Sequence, residues 1–216
     1  LYTNLCQVFK FNNAMKSRNI FLQTKFLISA FSLKDLPDDL GSEVAFCGRS
    51  NSGKSSVLNA LTGNKKLAKT SKAPGRTQAI NIFSIDSLNT QRITDLPGYG
   101  FAKVSKQTRR EWGKLIGSYL NTRISLKGLV VIMDIRNPFK ESDLTLIEWS
   151  SKTEIPILIV LNKSDKLSNN KLAASVNKAN LALEGMGIVG KALPFSAKKS
   201  TGLENLVDGL VEWFDV

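Results

Sequence analysis

Residues Gly48 to Ser55 read G-R-S-N-S-G-K-S: a glycine-bounded loop that closes on a lysine and a hydroxyl. The pattern G-x-x-x-x-G-K-[ST] is a phosphate cradle. Its small residues let backbone N–H groups turn inward, and the N-terminus of a following helix adds a dipole that favours anions. Lys54 then reaches the outer phosphates of a nucleotide and the Ser55 hydroxyl binds Mg²⁺. Gly48, Arg49, Ser50, Asn51, Ser52, Gly53, Lys54 and Ser55 are all candidate phosphate contacts. The flanks fit the motif, with the run Glu43–Cys47 before it and the helically spaced Ser56–Leu61 after it.

Four further groups follow in order. Asp95-Leu96-Pro97-Gly98 is D-x-x-G, in which a carboxylate holds Mg²⁺ through water and the Gly98 N–H meets a γ-phosphate. Asn162-Lys163-Ser164-Asp165 is N-K-x-D after an apolar run. An Asp there accepts hydrogen bonds from the N1–H and exocyclic amine of guanine. Adenine offers neither donor in that geometry and would leave the carboxylate unpaired. The Lys163 stem covers the base plane, and Asn162 ties this loop to the P-loop. Phe195-Ser196-Ala197 opens the loop whose N–H groups face the guanine carbonyl oxygen. Between the first two motifs lies T-S-K-A-P-G-R-T-Q, starting at Thr70. A threonine there completes the Mg²⁺ shell and senses the γ-phosphate through its N–H. Thr70 and Thr77 both qualify. Thr77 is preferred because it lies just before the strand expected near Ile80, and Gly75, Arg76, Gln78 and Ala79 are taken as its nucleotide-side neighbours. Lys54, Thr77 and Gly98 are the candidate catalytic groups, with Ser55 and Thr77 as the metal ligands.

These residues need elements to hold them. Apolar runs predict strands at Val44–Cys47, Ile80–Ile85, Arg92–Asp95, Leu129–Asp134, Ile157–Asn162 and Ala192–Phe195, with Lys25–Ala30 a further candidate. Helical spacing falls near Lys54–Leu61, Lys106–Arg123, Ser142–Ser151, Asn170–Glu184 and Gly202–Phe214. The alternation predicts an α/β fold: a three-layer domain with a mostly parallel central sheet and helices on both faces. Ligands of such sheets sit beyond the carboxyl ends of the strands. Residues 1–24, basic and aromatic without a clean period, are expected to be an N-terminal extension, either a poorly ordered tail or a segment foreign to the protein, and 25–216 the domain. Because the sequence opens on Leu1, its true start is expected to be missing.

At 216 residues and 42% hydrophobic, the chain suits one domain with a full core. No apolar run approaches the ~20 residues of a membrane helix. There is no histidine, which rules out His-based catalysis and His metal sites. Cys6 and Cys47 have no metal spacing and suggest a reducing compartment, with Cys47 a small buried hydrophobe. The expected location is cytoplasmic. Net charge is +12, and its placement is uneven. Asn64–Lys114 holds eleven basic residues (Lys65, Lys66, Lys69, Lys72, Arg76, Arg92, Lys103, Lys106, Arg109, Arg110, Lys114) against three acids (Asp86, Asp95, Glu111), a net +8. That stretch is either a solvated basic face or a surface for a polyanion, RNA above all.

Taken together, G-R-S-N-S-G-K-S-S, T-S-K-A-P-G-R-T-Q, D-L-P-G-Y-G-F-A, G-L-V-V-I-M-D-I-R, N-K-S-D-K-L and F-S-A-K-K resemble the EngB (YihA/YsxC) family of bacterial ribosome-assembly GTPases, from about Lys25 onward. The resemblance implies a P-loop G domain that binds GTP and GDP, works on the large ribosomal subunit and its rRNA as a monomer off the membrane, and is linked to cell division and septation. Many small GTPases carry a water-orienting glutamine after D-x-x-G. This chain has Tyr99 there, so slow intrinsic hydrolysis is expected. Asn51 in the P-loop raises K⁺ as a second cofactor besides Mg²⁺. Two other classes stay open: the G domain of a tRNA-modifying or membrane system, and a nucleotide-binding scaffold with negligible turnover.

Overall fold

The computed structural model describes residues 18–68, 79–99 and 106–214. Its frame is a seven-stranded sheet of β1 (Lys25–Ala30), β2 (Ser42–Gly48), β3 (Ile80–Ser84), β4 (Gln91–Asp95), β5 (Leu126–Asp134), β6 (Ile157–Asn162) and β7 (Gly190–Pro194). The order across the sheet is β1-β3-β4-β2-β5-β6-β7. β1 and β4 run antiparallel to β3, and every pair from β4 to β7 is parallel. The helices are α1 (Lys54–Leu61), α2 (Lys106–Thr122), α3 (Glu141–Ser151), α4 (Asn169–Gly185) and α5 (Leu203–Phe214).

β2, β5 and β6 carry continuous apolar runs (Val44–Cys47, Leu129–Met133, Ile157–Leu161) because both faces of the sheet are covered there, as a parallel sheet requires. Alternate residues serve opposite layers. Ala45, Cys47, Leu129, Val131, Ile157 and Ile159 share a core with Ile116 and Tyr119 of α2, Leu146 and Ile147 of α3, and Ala179 and Leu183 of α4. Val44, Phe46, Val130, Ile132, Leu158 and Val160 share the other with Val57, Leu58 and Leu61 of α1 and with α5. α5 presents Leu203, Leu206, Val207, Leu210 and Phe214, a stripe at helical spacing. This is the three-layer arrangement the alternating pattern predicts. Cys47 is fully buried, and burial raises its thiol pKa well above the usual value.

Two features depart from the sequence expectations. Arg18–Leu22, inside the expected N-terminal extension, forms a helical turn before β1. Phe21 is fully buried there and meets the Phe214 ring edge-on at 6.0 Å. The segment has no apolar period to signal a helix, yet Phe21 and the partly buried Ile20 seat the turn against the core. Arg92 does not belong to the basic surface. It is 3% exposed and binds Glu43, which is fully buried and also holds Arg123 (both 3.1 Å) and the Tyr119 hydroxyl. No helix among the described residues is long and apolar enough to cross a membrane.

Replacing Phe21 with Ala should lower the free energy of unfolding by about 3–5 kcal/mol, read as a reduced midpoint in urea. A loss of under ~1 kcal/mol would mean that the turn is only laid on the surface.

Candidate functional site

The register of the parallel strands brings four motif segments together at the carboxyl ends of the strands. Gly48 at the end of β2 stands beside Ile132 of β5, Asp95 at the end of β4 beside Phe46, and Asp134 at the end of β5 beside Asn162. The loop after β7 begins one residue past Pro194, which pairs with Leu161. Gly48–Ser55, Asp95–Gly98, Asn162–Asp165 and Phe195–Ala197 therefore converge.

The P-loop is shaped by close approaches. A Cβ on Gly48 would lie 2.7 Å from the Ile132 carbonyl oxygen, and one on Gly53 would lie 2.2 Å from the Asn162 amide nitrogen. Asn51 (φ 66°) and Gly53 (φ 94°) both have left-handed backbone, on either side of Ser52. Left-handed residues in such a turn gather N–H groups into a concavity that binds anions, here at the start of α1. The Lys54 ammonium binds the Asp95 carboxylate, so that the cation of the P-loop and the acid of D-x-x-G touch. Ser55 follows Lys54 on the first turn of α1.

A hydroxyl and a carboxylate beside a phosphate cradle form a hard oxygen donor set. Mg²⁺ suits such a set, because it keeps waters and phosphate oxygens in its shell. Among the described residues no three His, Cys, Asp or Glu side chains cluster into a protein cage for a metal. The residues present thus fit Mg²⁺ shared with a nucleotide.

The N-K-S-D segment is bound to its neighbours through side chains. Asn162, 2% exposed, donates from Nδ2 to the Ser52 carbonyl (2.9 Å) and accepts at Oδ1 from the Ala197 N–H (3.2 Å). Lys163 Nζ donates to the Asn51 carbonyl (2.7 Å) and to Asp134 Oδ2 (2.9 Å). Asp165 Oδ1 accepts from the Ser196 hydroxyl (2.7 Å), which lowers the carboxyl pKa from its ordinary value. The S-A-K loop thus acts partly inside the protein. Its Ala197 N–H, expected to face a base, is engaged by Asn162, and its Ser196 hydroxyl orients Asp165.

Ala79, at the end of the Gly75–Ala79 candidate group, is buried before β3. Gly75, Arg76, Thr77 and Gln78 lie outside the described residues, as does Thr70, so the choice between the two threonines is not drawn from geometry. The Arg49 side chain turns from the cradle. Its Nε faces both oxygens of the fully buried Asp143 (3.1 and 3.0 Å), and its Nη2 donates to the Asn137 carbonyl (2.8 Å). Two of the three Arg49 guanidinium nitrogens are thus engaged inside the protein. Tyr99 is 4% exposed, donates its hydroxyl to Asp143 (2.9 Å), and lies 5.6 Å from Trp112. Burial raises its phenol pKa well above 10, so it stays protonated.

Sequence reasoning missed Asp134 and Asp143. Asp134 accepts from both Lys163 and Arg136. Its burial opposes the charge, but these hydrogen bonds outweigh it and hold the carboxyl far below its usual range. The sequence signal was an acid stopping an apolar strand. Asp143 sits in the first turn of α3, where an acid reads as an ordinary helix cap.

The sequence profile of the family described as 50S ribosome-binding GTPases matches residues 43–163. The chain is 48% identical over 202 residues to the probable GTP-binding protein EngB of Shewanella baltica (strain OS185), covering 92% of this chain and 91% of that one. It is 47% identical over 199 residues to the probable GTP-binding protein EngB of Coxiella burnetii (strain RSA 493 / Nine Mile phase I), covering 92% and 96%. In fold it is similar to the crystal structure of a probable GTP-binding protein engB, with a TM-score of 0.64 at 24% identity over 81% of this chain and 99% of that one.

If Asp165 reads the base, Asp165→Asn places an amide where two guanine donors arrive. GTP affinity should fall by about 2 kcal/mol or more, and affinity for xanthosine triphosphate should rise. Titration of both nucleotides against both proteins checks this. An unchanged GTP affinity with no gain for the xanthine nucleotide would remove Asp165 from base recognition.

Proposed function

This chain belongs to the EngB family of GTP-binding proteins and is a GTPase, and from that premise we propose that it acts in the cytoplasm as a nucleotide-gated switch in assembly of the large ribosomal subunit. One observation carries the ribosomal half of the reading: the profile spanning residues 43–163 is that of 50S ribosome-binding GTPases. The surface charge is in keeping with it. Lys65 and Lys66 beyond α1, and Arg110 and Lys114 on α2, are exposed. Lys69, Lys72, Arg76 and Lys103 lie outside the described residues.

In this reading the cradle of residues 48–55 takes the phosphates, and Lys54 exchanges its Asp95 partner for the outer phosphate oxygens. Ser55 and Thr77 would hold Mg²⁺, beside the Asp95 carboxylate. Bound there, Mg²⁺ neutralises charge on the transferring phosphoryl group. The Gly98 N–H meets the γ-phosphate. Loss of that phosphate frees the Thr77 segment and the chain after Gly98, both of which lie in the basic stretch. Asp165 accepts the guanine donors while Lys163, held by Asn51 and Asp134, lies along the base.

Intrinsic turnover is slow in this scheme. The Tyr99 hydroxyl is committed to Asp143 and orients no water. A ribosomal partner, or K⁺ held beside the phosphates by Asn51, supplies the missing assistance. A link to cell division and septation is part of the same reading.

Co-sedimentation with large ribosomal subunits tests the reading. Binding should be stronger with a non-hydrolysable GTP analogue than with GDP and should fall steeply with salt. Reversing Lys65, Lys66, Arg110 and Lys114 to Glu should weaken subunit binding and spare GTP affinity. Binding that ignores nucleotide and salt alike would sink the switch. Exchange of Na⁺ for K⁺ should raise turnover in the native chain and not in Asn51→Ala; equal rates in both salts would exclude K⁺.

A further inference from the structure

The D-x-x-G segment is anchored on either side of Gly98. Before it, the Leu96 N–H donates to the Phe46 carbonyl (2.9 Å), and the Pro97 carbonyl accepts from Trp112 Nε1 (3.1 Å). After it, Tyr99 bridges to Arg49 as an isolated extension of the β2–β4 pairing. The Ser50 N–H donates to the Tyr99 carbonyl (3.0 Å), while the Tyr99 N–H reaches the Gly48 carbonyl at 3.4 Å, near the limit for such a bond. The backbone link between P-loop and D-x-x-G is therefore short and partly weak.

Asp143 reinforces that link from the side. Its Oδ1 accepts from the Tyr99 hydroxyl and from Arg49 Nε. Its Oδ2 accepts from Arg49 Nε and from the Lys140 N–H (3.0 Å) at the start of α3. One fully buried carboxylate thus holds the residue after Gly48 and the residue after Gly98 at once, and it is braced by a helix N-terminus that favours its charge. The arginine of the P-loop is the second partner of this carboxylate.

We propose that Asp143 is a positioning residue for the γ-phosphate: by clamping Tyr99 to Arg49 it fixes the Gly98 N–H against the P-loop. The proposal rests on the reading that Gly98 meets the terminal phosphate. It concerns the triphosphate alone, because GDP makes no demand on Gly98. A mere structural pin would serve GDP and GTP equally.

The test compares native protein with Asp143→Asn, Tyr99→Phe and Gly98→Ala. For each, dissociation constants are measured for GDP and for a non-hydrolysable GTP analogue, and single-turnover hydrolysis is followed at saturating GTP. Asp143→Asn keeps the shape of the side chain, and Tyr99→Phe removes one hydroxyl. Each should weaken the analogue about tenfold, as expected for losing a hydrogen bond to a charged group, and leave GDP within about twofold. Both should slow the single turnover at saturation. The double variant should lose less than the sum of the two, because both remove the same contact. Equal losses for both nucleotides, or none, would overturn the proposal. If Asp143→Asn does not fold, Tyr99→Phe decides it alone. Gly98→Ala separates the two levels. If Gly98→Ala is selective for the analogue and the clamp variants are not, only the clamp fails. If Gly98→Ala is also unselective, the reading of Gly98 fails and the clamp with it.

Discussion

Asn162 carries a buried carboxamide with one donor aimed at the P-loop and one acceptor aimed at the loop after β7, and both loops must come to it. A buried amide left unpaired costs roughly 1–3 kcal/mol, so neither loop moves off cheaply. The same amide sets the residue at position 53, where its nitrogen leaves no room for a Cβ. The P-loop, the N-K-S-D loop and the S-A-K loop are thus one packed unit, placed by the end of a single strand. Lys163 adds a second tie through the Asn51 carbonyl.

The two ends of the sheet handle charge differently. At the amino end Glu43 is matched by two arginines and a phenol inside the protein, an arrangement in which removal of a charged partner leaves a buried charge less compensated. At the carboxyl end the ion pairs Lys54–Asp95 and Lys163–Asp134 are partly open to water. Their lysines can change partners at lower cost, as an anion-binding site requires. The formal +8 of the Asn64–Lys114 stretch mixes these two situations. It counts Arg92, which Glu43 neutralises from a distant point in sequence.

Much of the fold was legible because the sheet is parallel and its faces are covered. β6 spans the expected Ile157–Asn162, and α1 spans the expected Lys54–Leu61. β5 begins at Leu126, three residues before its apolar run, because Lys127 points to solvent and breaks the pattern without breaking the strand. The nucleotide motifs were legible because chemistry fixes their residue types and spacing. Arg49, Asp134 and Asp143 were not read in their observed roles. Those roles depend on which side chains meet across three different loops, and no local period encodes that. Tyr99 shows the boundary well: its type excluded an amide-like role, but only the fold reveals the carboxylate it serves.

Trp112 has an optical consequence. It holds the Pro97 carbonyl through its indole N–H, lies 5.6 Å from Tyr99, and stacks on Trp149 at 6.3 Å with planes 30° apart. Two of the three tryptophans are thereby coupled to one another and tethered to the D-x-x-G loop. The third, Trp213, packs over Gly128 with the opposite layer. A shift of that loop with nucleotide would change the surroundings of the indole pair, while Trp213 lies in the other layer of the protein. Intrinsic emission would then report such a shift without an attached label.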